Sequence, residues 1–90
     1  MEYAVVMKVK FVGDMSSEQR QKMLDEMVVP HAKSLAGFQR GTWMHHESVG
    51  TAVVVFDSDA NAKAAQSQLS PPPDGPELTA SDVFEVGAQA

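Results

Sequence analysis

The chain has 90 residues, no Cys, and 12 acidic against 7 basic side chains, a formal charge of −5 near neutrality. That length makes one domain with a thin core, because so short a chain buries only about 60% of the surface it exposes when unfolded. The acidic balance without a Lys/Arg cluster disfavours a nucleic-acid partner, and no apolar run nears the roughly 20 residues a membrane span needs.

Met1-Glu2-Tyr3 lacks the basic start of a signal peptide, and the apolar run that follows is broken at Lys8 and Lys10. With no Cys to favour an oxidising compartment, the expected location is the cytoplasm. From Tyr3 to Val12 the pattern has a period of two. Tyr3, Val5, Met7, Val9 and Phe11 share one face, and Ala4, Val6, Lys8 and Lys10 share the other, which predicts a strand. Gly13-Asp14 breaks it. Ser16 stands three residues before Gln19, the spacing of a capping box. Leu24, Met27, Val28, His31 and Leu35 then fall on one face of a 3.6-residue period. Pro30 inside this helix predicts a kink or a split into two pieces, and Gly37 is placed to end it.

Phe38 to Glu47 predicts a second, more polar strand, with Trp43, His45 and Glu47 on one face and Met44 and His46 on the other. A turn is expected at Ser48-Val49-Gly50. Thr51 to Phe56 is apolar on both faces and suits a central strand. Asp57 or Ser58 can cap an Ala-rich helix running to about Leu69, with Asp59 favourable at its start. Pro71 to Pro76 reads as a stiff polyproline-like connection, and Ser81 to Ala88 as a closing strand.

The order β-α-β-β-α-β over residues 1–90 predicts a single α+β domain of the ferredoxin-like kind. Right-handed crossovers then give a four-stranded antiparallel sheet of order 4-1-3-2 with both helices on one face. This order makes the two most apolar strands central. Val53 and Val55 leave apolar residues on the uncovered face, which predicts a symmetric homodimer packed sheet on sheet.

Val29-Pro30-His31, Leu35-Ala36-Gly37-Phe38, Phe56-Asp57-Ser58-Asp59-Ala60 and Val83-Phe84-Glu85-Val86 resemble segments of the dimeric α+β barrel superfamily. This group includes the antibiotic-biosynthesis monooxygenases. The likeness spans nearly the whole chain. It implies a bacterial homodimer that binds a small apolar or aromatic compound between helices and sheet. If the protein is an enzyme, the resemblance implies a cofactor-independent monooxygenase or isomerase. Where members that oxidise aromatics or degrade haem carry a Trp and a His, this chain holds Phe56 and, approximately, Ala65.

His31 is the candidate catalytic group, since imidazole on an apolar stripe can transfer protons near neutral pH. The competing reading is a packed His bonded to a backbone carbonyl. The candidate ligand-binding residues are Tyr3, Met7, Met27, Trp43 and Phe56. Met7, Met27, Met23 and Met44 would supply an adaptable apolar wall, and Trp43 is either a ligand platform or an anchor in a core or dimer. Arg40 could grip a carboxylate or stand exposed. His45 and Glu47 could be two metal ligands on one strand face, but no third is in reach, so no metal and no cofactor is expected. Nucleophile elbows and phosphate-binding loops are absent. The alternative to a ligand-binding protein is a non-catalytic binding or assembly module.

Overall fold

The computed structural model describes residues 1–11, 16–71 and 75–90. Strand β1 (Tyr3–Lys10) leads into a helical arm made of α1 (Ser17–Met23), a π-helical turn (Leu24–Val28) and α2 (Val29–Lys33). Then come β2 (Phe38–His46), β3 (Val49–Phe56), α3 (Asp59–Gln68) and β4 (Glu77–Glu85). All strand pairings are antiparallel. The sheet order is β2-β3-β1-β4, which is 4-1-3-2 read from the opposite edge. The described residues thus form an α+β domain consistent with a ferredoxin-like fold. Among them no helix is long and apolar enough to cross a membrane. The predicted strand end at Val12, the break at Gly13-Asp14 and the Pro72-Pro73-Asp74 part of the proline run lie outside the described residues.

One face of the two central strands builds the core. Val5 and Met7 of β1 and Ala52, Val54 and Phe56 of β3 cluster with Ala32 of α2 and with Ala62, Ala65 and Leu69 from α3 and its cap. Val5, Val54 and Phe56 are wholly buried. Phe38 meets Phe56 edge-on, with ring centroids 6.3 Å apart. Strand alternation sends Ala4, Val6, Val53 and Val55 to the opposite face.

The caps form as the sequence predicts. Ser16 Oγ accepts from the Gln19 backbone N–H at 3.1 Å while the Ser16 N–H donates to Gln19 Oε1 at 3.0 Å. Ser58 Oγ accepts from the Asn61 N–H at 3.2 Å. The split expected at Pro30 is a π-helical turn just ahead of it, closed by the Val29 N–H donating to the Leu24 carbonyl. Pro30 has no N–H to continue the α-helical ladder and its ring crowds the turn before it, so the backbone takes a wider loop instead.

Four boundaries differ from expectation. The arm ends at Lys33 with Ser34 as its cap, ahead of Gly37. Gly37 is left-handed at φ +80°, but it serves the turn into β2, where its carbonyl accepts from the Asp57 N–H at 2.9 Å. The β2–β3 hairpin turns at Glu47-Ser48, not at Ser48-Val49-Gly50, and pairs His46 with Val49. Glu47 takes the positive φ of 54° that a tight hairpin requires, so it does not share a strand face with His45. Gly50 is buried in the strand, where a Cβ would come within 2.8 Å of the Phe11 ring. Its glycine makes room for a side chain instead of a turn. β4 begins at Glu77, not Ser81, because β1 offers pairing groups as far as Lys10. A bulge opposite Lys8 and Val9 is tied by Thr79 Oγ1 donating to the Lys8 carbonyl at 3.1 Å.

Two substitutions test this account by urea unfolding. Gly37→Ala should cost about 1–3 kcal/mol, because a side chain there is strained by the left-handed backbone and collides with Asp57 and Asn61. Phe56→Ala should cost about 3–5 kcal/mol through the cavity it leaves. A loss under half these values at both sites would contradict the packing described.

Candidate functional site

The two helical arms sit on the sheet at different heights. Ala62 and Ala65 are fully covered and let α3 lie close on β1, β3 and β4, while α2 touches down on β2. α1 and the π-helical turn stand off the strands. Beneath them is a cavity of about 390 Å³. Met7, Val9 and Phe11 form its floor with Trp43, His45 and Ala52, and Arg20, Met23, Leu24, Met27, Val28 and His31 form its roof. Gln68, Leu69, Ser70, Pro71 and Pro76 bound one end.

Two glycines, Gly50 on the floor and Gly41 beneath Trp43, help give the cavity its shape. The Trp43 ring lies over Gly41, where a Cβ would come within 2.6 Å of Cη2. The Phe11 ring lies over Gly50 in the same way. Each ring is thereby laid against the sheet instead of standing up from it.

The structure distributes the predicted residues unevenly. Met7, Met27, Trp43 and His31 meet around the cavity, as do Met23 and Met44. Phe56 does not line it, being wholly buried in the core. Tyr3 also lies off the cavity; it packs on the core in the same sheet row as Phe56. Met44 reaches the cavity although it alternates with Trp43, because β2 is an edge strand around which a long side chain can lean.

His31 is exposed at the mouth, and its Nε2 donates to the Gln68 carbonyl at 2.9 Å. A carbonyl only accepts, so this bond places the hydrogen on Nε2 and leaves Nδ1 as the acceptor in the neutral ring. His31 thus lines the cavity and is bonded to backbone, but as an exposed side chain and not a packed one. Arg40 is committed elsewhere. Its fork donates to both carboxylate oxygens of Glu2, at 2.8 and 3.1 Å, beside Val55 on the open face. Among the described residues no three His, Asp or Glu side chains gather as metal ligands, and Glu47 is turned out of the strand pairing it would need.

Arg20 was not among the predicted site residues, yet it lines the cavity. Its guanidinium carbon sits 5.3 Å from the Phe11 ring centroid, a cation–π arrangement. The signal was present in the helical period, since position 20 precedes Leu24 by four and extends the stripe one turn upstream. A charged residue at that place does not stand out in a stripe defined by its apolar members. No Asp or Glu lines the cavity among the described residues; its ionisable groups are Arg20, His31 and His45.

Gly41→Ala should lift the Trp43 ring off the floor, shifting its fluorescence to longer wavelength while the far-ultraviolet circular dichroism stays unchanged. Unaltered emission would show that the ring does not depend on the glycine. Comparison with known proteins finds no family profile that matches the chain and no curated protein that matches it.

Proposed function

We propose that this chain binds a small, mostly apolar or aromatic molecule between its helical arm and its sheet. The observation that carries this is the cavity of about 390 Å³ walled by Met7, Met23, Leu24, Met27 and Trp43. Its volume falls within the about 300–1,000 Å³ of small-molecule sites, and such sites combine apolar walls with a few polar groups, as here. Methionines adapt to irregular shapes, and the Trp43 ring offers a flat face for stacking. The bond from His31 to Gln68 favours simple binding over turnover, because it occupies one ring nitrogen with backbone. A catalytic role would leave Nδ1 to take a proton from the ligand, in a cofactor-independent oxygenation or isomerisation.

Two copies would pair through the open sheet face. There Val6, Val53 and Phe84, the last 52% exposed, offer apolar surface around Ala4 and Val55, which their neighbours already bury, and Lys8, Arg40, Thr42 and Asp82 edge it. An apolar centre with a polar rim is the usual anatomy of an interface. This pairing would give the sheet-on-sheet arrangement of the dimeric α+β barrels that the sequence resembles.

Trp43 is the only Trp in the chain, so its indole N–H signal reports on the site. Titration with naphthamide, indole or a branched aliphatic amide should move that signal and those of Met7 and Met27. Leu24→Phe should weaken binding by filling the cavity. The absence of any shift with all three probes, or shifts confined to the open face, would reject the reading. Light scattering should give a dimer that Phe84→Glu converts to monomer. A wild-type monomer at high concentration would remove the dimer.

A further inference from the structure

We infer that the molecule taken up by this cavity carries a carboxylate, and that Arg20 holds it. The inference rests on the binding reading above and narrows it to aromatic or branched apolar monocarboxylates.

Arg20 is set apart by its surroundings. Its Nε is shut off from solvent and has no hydrogen-bond partner among the described residues, the one buried side-chain nitrogen or oxygen there of which this is true. The rest of its fork is little used. One terminal nitrogen reaches Ser17 Oγ at 3.4 Å, a weak contact, and neither ion pair of the described residues involves Arg20. Nε is closed off even while the cavity is empty, so a guest would meet the terminal nitrogens, which have only the weak Ser17 contact among the described residues. A charged donor ordinarily has a full acceptor, so a guanidinium fork so little used at a cavity wall points to an acceptor on the guest. The other arginine near the sheet, Arg40, has its carboxylate in Glu2.

The charge distribution says which acceptor fits. The chain as a whole is acidic, with 12 Asp and Glu against 7 Lys and Arg. The described cavity wall nevertheless carries no carboxylate, only Arg20, His31 and His45. A cation would meet Arg20 with nothing to offset it, and a wholly apolar guest would cover the terminal nitrogens of Arg20 without offering them an acceptor. A guanidinium fork matches the two oxygens of a carboxylate in one plane. The apolar wall of Met7, Met27, Leu24 and Trp43 then receives the body of the molecule. The cation–π contact with Phe11, at 5.3 Å to the ring centroid, holds the guanidinium at the cavity wall.

Naphthoate and naphthamide have nearly one shape and differ in charge, so calorimetric titration of both separates the two ideas. Wild-type protein should bind naphthoate about ten- to a hundredfold tighter than naphthamide, the range expected for hydrogen bonds to a charged group. Arg20→Gln should bring the two affinities together, Arg20→Lys should keep part of the preference, and Arg40→Gln should leave it intact. Equal binding of both probes by the wild type would overturn the carboxylate and leave the cavity reading standing. A preference that survives Arg20→Gln would overturn the role of Arg20. Binding of neither probe would overturn both, and the wild-type comparison decides even if a variant fails to fold.

Discussion

The two central strands present apolar side chains on both of their faces, and much of this molecule follows from how unequally those faces are covered. On one face Val5, Val54 and Phe56 are sealed beneath helices. On the other, Val6 and Val53 stay partly exposed and Phe84 of the neighbouring β4 half-exposed, although Ala4 and Val55 between them are buried. A strand cannot move a side chain from one face to the other without slipping its register by a residue, which would reverse every other side chain too. The apolar residues of the open face are therefore fixed there by the same pairing that builds the core.

Unequal covering recurs within the helical layer. Ala62 and Ala65 bring α3 down onto the sheet, and Gln66 ties it to β4 by donating to the Ser81 carbonyl and hydroxyl, each at 3.0 Å. The first arm carries Met23, Leu24 and Met27 instead, and the π-helical turn ahead of Pro30 widens it. Long side chains on a raised helix reach toward the sheet without closing the gap. π-helical turns often sit at functional sites, and here one supplies three residues of the cavity roof. The space is thus a consequence of one Ala-rich helix and one Pro-interrupted helix sharing a single sheet face.

Charge is also unequally placed. Exposed ion pairs such as Lys63 with Asp59, at 2.9 Å, hold their charges in solvent, where the neighbouring carboxylate keeps the lysine protonated to higher pH. Such surface pairs contribute little to stability. Arg20 differs because part of its guanidinium is withdrawn from water against Phe11. In a small domain with a thin core, that unsatisfied nitrogen is a cost the fold tolerates, and it sits beside the one cavity on which the functional reading depends.

Local pattern determined a good deal by itself. The period of two in Tyr3–Lys10, the capping box at Ser16, the N-cap at Ser58, and the chain order of strands and helices could all be read directly. These depend on neighbours within a turn or a strand, so a linear sequence carries them. Tertiary structure decided the rest. Gly50 looked like a turn residue and is a strand residue, because the reason for its missing side chain is the Phe11 ring, distant in sequence. β4 starts at Glu77 because an edge strand takes its length from the backbone groups its partner offers. Phe56 and Phe38 serve the core alone while Met7 and Trp43 touch both the core and the cavity, although nothing local separates these apolar residues. The height of each helix above the sheet made that division, and with it Arg20 became a wall of the site while Arg40 closed on Glu2.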